Sequence, residues 1–399
     1  MKKFFLIIAS FLLIFTFGCK KQSNQTIKIG FVGPLTGDAA NYGKLMTQAV
    51  KIAIEEKNEK GGIDGKMIEF IAEDDEGKVD KANTSIEKLA GVDKVWGIVG
   101  AVFSSCSLAI APKAEAEKIV MISPSSTNKM ITANNEFIFR DVLSDELQAK
   151  VFGQYVYEKM GIKKVAILFL KNDYSQGLAE DFKTQFQSNG GTITAMESGL
   201  QGDKDFKTQL TKIKGTNPDA LFLPNYVAEI AQILEQANQL GLKVKILSTD
   251  GFSNPEIFEL AGDLTNGVIF SNSADESGIG VSDLRKSFEE KYQKKWGEKP
   301  DSFSLNSYDG AKIIINAIEM AYKDASDADK QTLNISRDKI REYVAYTENY
   351  NGVSGIITFL PSGDAIKNVG IFEADSKTKL YKQTGIYKLD ENGKLIEVK

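Results

Sequence analysis

Four stretches of this 399-residue chain concentrate the residue types that bind or transform small molecules. Glu73-Asp74-Asp75-Glu76 crowds four carboxylates together, the raw material of glycoside hydrolysis or of a cation site. Charge runs are more often a solvated strand end, and that is the expectation here. Gly100-Ala101-Val102-Phe103-Ser104-Ser105 sets hydroxyls where a helix starting near Ser105 would expose free backbone N–H groups, a receptor for a carboxylate. Ser104 or Ser105 could equally serve as a plain helix cap. Ser123-Pro124-Ser125-Ser126-Thr127-Asn128 is a dense run of small hydroxyls, able to serve both ends of a zwitterion or simply to turn the chain. Ser248-Thr249-Asp250 ends in an acid that could pair with an ammonium group or cap a turn. Tyr42, Tyr174 and Tyr226 sit in or just after loops of the same kind, where an apolar face with a polar tip can wall a ligand or merely pack.

Composition removes much other chemistry. The chain has no histidine, hence neither the commonest general base near neutral pH nor the commonest transition-metal ligand. Its two cysteines, Cys19 and Cys106, make no thiolate metal site or disulfide framework, and Cys106 reads as a buried packing thiol. A net charge of −5 without a basic stripe gives nucleic acid no footprint. Gly61-Gly62-Ile63-Asp64-Gly65 lacks the spacing of a nucleotide-binding loop and reads as a helix stop and turn. No cofactor or metal is expected.

The elements that must position these residues alternate. Apolar strand signals fall at 27–32, 67–72, 95–99 and 119–122, with helical periodicity across 79–89 and 105–116. The pattern restarts with strands at 165–170, 192–196, 220–223 and 244–247 and helices near 176–189, 206–213 and 228–240. Alternation of this kind predicts two α/β lobes, each a parallel sheet covered by helices on both faces. Residues 281–321 read as wholly helical and residues 355–399 as strands and turns. Neither block is large enough to stand alone, so both should complete the earlier lobes, with the chain crossing between lobes three times. Ahead of all this, Lys2 and Lys3 precede an apolar run over 4–17 that ends in Gly18-Cys19. That is a secretory leader, too short to span a membrane comfortably. The expected parts are a signal peptide at 1–18 and a tether at 19–26, then one lobe from 27–143 with 273–351 and the other from 144–272 with 352–399.

The ordered series IKIGFVGPLTGDAANYG (27–43), AIEEKNEKGGIDG (53–65), VGAVFSSCS (99–107), MISPSSTN (121–128), DYSQGL (173–178) and DKDFKTQL (203–210) resembles the Leu/Ile/Val-binding type of periplasmic solute-binding proteins. The Gly-Cys junction resembles a bacterial lipoprotein signal, which implies lipid on Cys19. The family implies the type I periplasmic-binding-protein fold: two doubly wound parallel-sheet lobes joined by a three-stranded hinge. It implies no enzyme activity, a cleft that closes on an amino acid, and delivery to an ABC permease in the cytoplasmic membrane by a monomer. Carried over by position, Ser104 and the Thr127 backbone would receive the ligand carboxylate. The Ser125 carbonyl, the Thr127 hydroxyl and Asp250 would receive its ammonium, with Ser126 in the same loop. Tyr42, Phe103, Tyr174, Tyr226 and Phe303 would wall the side chain. Two departures stand out: Asp250 is one methylene shorter than the family's glutamate, and Phe103 replaces a thiol whose disulfide partner is here Gly77. An amide, urea or aromatic-acid ligand, or a role as ligand-sensing subunit of a membrane receptor, is the alternative expectation.

Overall fold

The computed structural model of the chain describes residues 26–274 and 282–398; the leader and Cys19 lie outside the described residues. From Ile27 the chain builds β1 (Ile27–Gly33), α1 (Ala40–Glu59), β2 (Ile68–Asp74), α2 (Val79–Glu87), β3 (Gly97–Gly100), α3 (Ser104–Ala116), β4 (Val120–Ser123) and β5 (Ile138–Arg140). These five strands form one parallel sheet in the order β2-β1-β3-β4-β5. β1, β3 and β4 are apolar and buried almost throughout, as strands covered on both faces must be.

The second run gives α4 (Asp145–Gln154), β6 (Lys164–Leu170), α5 (Asp173–Ser188), β7 (Thr192–Gly199), α6 (Lys207–Gly215), β8 (Ala220–Leu223), α7 (Val227–Gln239), β9 (Lys245–Ser248), α8 (Ile257–Ala261) and β10 (Ile269–Ser273). Its sheet repeats the first one's order as β7-β6-β8-β9-β10, all parallel, and then continues antiparallel. Phe152, Phe182, Phe186 and Phe222 are fully buried in this lobe, the Phe182 and Phe222 rings stacked 4.1 Å apart. Burying each such side chain stabilises the fold by roughly 1.5–3 kcal/mol.

The helical block is interrupted. α9 (Asp283–Trp296) stops at Gly297, which takes the left-handed conformation at φ 79°, and α10 (Ser302–Asp324) restarts after Pro300, with the Asp301 carboxylate accepting from the Ser304 N–H at 2.8 Å. The block expected as wholly helical therefore holds two helices, because glycine and proline punctuate the run and an aspartate begins the next one. Both return to the first lobe: α10 packs along α1 and against β3 and β4, while the Tyr292 hydroxyl on α9 donates to Gln48 Oε1 at 2.6 Å. α11 (Asp327–Thr332) and α12 (Arg337–Ala345) follow, α12 against α10.

The hairpin β11 (Tyr350–Gly352) and β12 (Gly355–Ile357) and the chain after it remain with the first lobe, although residues from 352 onward were expected in the second. Asp309 of α10 accepts the Val353 and Ser354 N–H groups, Phe359 packs on Phe139 at 5.2 Å, and Asp364 bridges to Arg140. The chain changes lobes between Ala365 and Val369, where β13 (Val369–Asp375) pairs antiparallel with β10 and leads to β14 (Leu380–Leu389) and β15 (Leu395–Glu397). Three crossings result, after β5, after β10 and before β13. They are cross-tied, since Arg140 N donates to Gly363 O at 3.0 Å and Ala274 N to Asn368 O at 2.9 Å. The three-stranded hinge is thus a hydrogen-bonded unit.

Candidate functional site

Open α/β sheets bind ligands beyond the carboxyl ends of their strands, where the strand order reverses. Both sheets reverse at their second strand, so the loops after β1 and β3 in one lobe face those after β6 and β8 in the other. The residues singled out in the sequence come from these loops and their neighbours.

In the first lobe, Asp74 fixes the loop after β1, accepting from Leu35 N at 2.8 Å and from the Thr36 hydroxyl at 2.5 Å. α1 then begins with Tyr42 aimed across the cleft. Its hydroxyl donates to Gly251 O at 2.6 Å and accepts from Val227 N at 3.2 Å, both in the second lobe. After β3, Phe103 occupies the cap position of α3 and Ser104 its first turn; no side chain caps this helix. That leaves the Ser104 hydroxyl facing the cleft, held by Asn128 N at 3.3 Å. Ser105 instead reaches the other lobe, donating to the Asp173 carboxylate at 2.5 Å. After β4, the hydroxyl run divides its work. Ser123 and Ser126 bond the Ala101 carbonyl at 2.8 and 3.0 Å, and Ser125 donates to Val102 O at 2.7 Å, which rivets this loop to the one after β3.

In the second lobe, Asn172 caps α5 by accepting from Ser175 N at 2.8 Å and so orients Tyr174 in the first turn. The Tyr174 hydroxyl donates to Asp250 Oδ1 at 3.2 Å, accepts from Gly251 N at 3.0 Å and meets the Thr249 hydroxyl at 2.9 Å. Gln148 of α4 donates to the same Asp250 oxygen at 2.7 Å and is itself held by Ser271 at 3.1 Å. Burial pushes the Asp250 carboxyl up to about 6, while the Gln148 and Tyr174 bonds oppose the rise. Burial likewise pushes the Tyr42, Tyr174 and Tyr226 phenols far above their ordinary value, so all three stay neutral.

The lobes are closed, and Tyr42, Phe103, Ser104, Ser125, Tyr174, Tyr226, Asp250 and Phe303 line one cavity of about 10 Å3 together with Val102 and Gly251. Its walls are rings: Phe103 stacks on Tyr226 at 4.1 Å, Tyr226 on Tyr174 at 5.1 Å, and Tyr42 lies 5.9 Å from Phe303. Phe103 rests on Gly77, where an added Cβ would stand 2.9 Å from a ring carbon. The glycine thus makes the space that the phenylalanine fills. Ser126 does not face this cavity, its hydroxyl being spent on the Ala101 and Val102 carbonyls, and Thr127 lies buried behind it. A second space of about 500 Å3 adjoins Tyr42, Phe103 and Tyr226 on the outer side, bordered by Asp38, Glu76, Lys78, Gln201 and Glu229. Gly251 and Gln148 were not anticipated; a glutamine on a helix carries no signal of its own.

The acidic run Glu73–Glu76 is not one site. Glu73 pairs with Lys88, Glu76 with Lys78 and Lys81, and Asp74 holds the β1 loop. Asp75 departs from the solvated end expected: it is fully buried, accepts from Gly77 N at 2.8 Å and is held up at about 6 by burial. Cys106 beside it is buried, its thiol pushed far up by burial and by the Asp75 charge. Among the described residues, no group of three or more acids or cysteines could hold a metal ion. No described helix is long and apolar enough to cross a membrane.

Two lobes of repeated topology, a cross-tied hinge and a polar-and-aromatic cavity between them define a two-lobed solute-binding protein. The periplasmic binding protein family pattern matches residues 26–379, and the chain belongs to that family. The chain is similar to the leucine-, isoleucine-, valine-, threonine- and alanine-binding protein of Pseudomonas aeruginosa, at 31% identity over 307 residues, 76% of this chain and 81% of that one. In structure it resembles the leucine-binding protein LivK of Thermotoga maritima, with a TM-score of 0.81, 31% identity and coverage of 90% and 98% of the two chains. It also resembles the branched-chain amino acid substrate-binding protein LivJ of Streptococcus pneumoniae in complex with isoleucine, with a TM-score of 0.80, 28% identity and coverage of 94% and 100%.

Proposed function

We propose that this protein is the extracytoplasmic solute-binding component of an ABC importer, capturing a branched-chain or similar amino acid by closing its lobes and presenting the closed form to a membrane permease. The observation that carries this reading is the pairing of opposite receptors across one interlobe cavity, the Ser104 hydroxyl at the start of α3 in one lobe and the buried Asp250 carboxylate in the other. A ligand bridging them needs an anionic end for the helix start and a cationic end for the acid, as an α-amino acid has. A buried carboxylate facing a simple carboxylate ligand would be costly, which disfavours benzoate-like compounds. The names of the relatives point the same way. Lipid on Cys19 would tether the protein at the outer face of the cytoplasmic membrane, where a monomer suffices to meet its permease.

A thermal-shift screen of the mature protein tests the reading, because a ligand that binds the native state alone raises its melting temperature by mass action. L-leucine, L-isoleucine, L-valine and L-alanine should raise it, whereas 4-methylpentanoate, benzoate and urea should not. A shift from benzoate with none from any amino acid would overturn it.

A further inference from the structure

The largest fully buried side chain among the described residues carries a charge, and the site described so far does not use it. Arg140 ends β5 at the first crossing between lobes and is 1% exposed. Its backbone is tied to the segment that leads into the third crossing, since its carbonyl also accepts from Ala365 N at 3.1 Å. Gly363 permits that close approach: at its φ of 84°, an added Cβ would stand 2.4 Å from Ile138 O. The guanidinium reaches the loop after β4. Nη1 donates to Thr127 O at 2.8 Å and to Asn128 O at 2.7 Å, Nη2 to Thr132 Oγ1 at 3.0 Å and to Lys129 O at 3.5 Å, and Nε to Asp364. A planar cation bonded along its whole rim is held in one pose by its surroundings and holds them in turn.

The peptide between Thr127 and Asn128 connects this cation to the cavity. Its carbonyl accepts from Arg140, and its N–H donates to the Ser104 hydroxyl at 3.3 Å. A hydroxyl carries one proton and two lone pairs. With a lone pair engaged by Asn128 N, Ser104 keeps its proton to donate to a ligand carboxylate. A cation at the carbonyl end also polarises the peptide, which strengthens its N–H as a donor. We propose that Arg140 is a positioning residue of the carboxylate receptor: it fixes the plane of the Thr127–Asn128 peptide, and through that peptide's N–H it orients the Ser104 hydroxyl toward the ligand. This rests on the amino-acid reading above. The same loop reaches across the cleft, where Asn128 Nδ2 donates to Asp173 O at 2.7 Å and Lys129 pairs with Asp181 at 2.9 Å, both on α5. Arg140 therefore joins the hinge, the receptor and a contact between lobes in one bonded unit.

The test is a double-mutant cycle by calorimetry with L-leucine on Arg140→Lys, Ser104→Ala and the double variant, beside thermal unfolding of each without ligand. Lysine keeps the charge and loses the fork that spans two carbonyls and Asp364. The Thr127 carbonyl keeps a second donor in Asp145 N at 2.8 Å, so the loop is loosened rather than released. Arg140→Lys should weaken leucine ~5- to ~20-fold, the range for a disturbed hydrogen bond. In the Ser104→Ala background the same change should cost no more than ~2-fold, since a residue acting through another has little effect once that other is silent. Asp364→Asn, a milder disturbance of the same guanidinium, should weaken leucine ~2- to ~5-fold and should likewise fall silent without Ser104. It carries the comparison if Arg140→Lys does not fold. A lower melting temperature with unchanged affinity, or equal losses with and without the Ser104 hydroxyl, would overturn the proposal and leave the functional reading intact. Wild-type protein that ignores every amino acid refutes the functional reading and this proposal with it.

Discussion

Replacing Asp250 by asparagine keeps the side chain's shape and leaves an oxygen to accept from Gln148 and Tyr174, while its charge is lost. Two effects of opposite sign follow. In the unliganded protein the carboxyl titrates at about 6, against an ordinary 3.8, so between those values the folded chain holds a proton that the unfolded chain has released. Its contribution therefore favours folding at acid pH and is lost as pH rises through 6; above that, the buried charge lowers stability by about 3 kcal/mol. Asp250→Asn escapes that disadvantage. Its unliganded form should melt a few degrees above wild type near neutral pH, the gain vanishing below about pH 4. Amino-acid binding should move the other way. Truncating one partner of a buried charge pair costs about 2–5 kcal/mol, a loss in affinity of ~30-fold to several thousandfold. Wild-type affinity should be flat above about pH 6 and fall ~10-fold per unit below it, since a proton competes with the ammonium for one carboxylate. Calorimetric titration with L-leucine across this range, and scanning calorimetry without ligand, read both effects. Affinity in Asp250→Asn within threefold of wild type, or wild-type binding unchanged down to about pH 4, would refute the reasoning.

Tyr42→Phe removes the hydroxyl that ties the lobes at Gly251 and Val227. It should weaken binding ~5- to ~20-fold by faster ligand release, measured by stopped-flow fluorescence, with little change in association. Phe103→Ala empties the space between Gly77 and Tyr226. Competition titrations should show the preference moving toward larger side chains such as L-phenylalanine, with unliganded stability lower by about 3 kcal/mol.

The fold was legible because it repeats. Short apolar strands alternating with helices over residues 27–250 could have built little except two parallel sheets, and strand order then fixed which loops meet. The return of the helical block to the first lobe followed from its size; its break is also written in the sequence, in Gly297, Pro300 and Asp301, but the helical periodicity on either side outweighed those turn residues. Residues 352–365 were harder still: they join the first lobe through Asp309 and Arg140, two buried charged residues with nothing in their local sequence to mark them as anchors. At the site, the residues on strand-to-helix loops were visible as types in the right places. Gln148 was not, because it is an ordinary polar residue near a helix start whose importance lies in what tertiary packing brings beside it. Ser126 illustrates the converse. Its hydroxyl looks like its neighbours in sequence, and the backbone carbonyls of another loop decide its direction.

The three crossings between lobes have a consequence for how this chain comes into being. Neither lobe is a continuous piece of sequence: β10 lacks its antiparallel neighbour until β13 is made, and α1 waits for α10. Contacts that distant slow folding, since long loops must close before any reward is gained. During synthesis the chain therefore spends most of its time without a finished lobe, and no single cut would release one as an autonomous piece. A polypeptide built this way remains threadable until its last strands are made, which gives any machinery that handles extended chains a long interval in which to take hold of it.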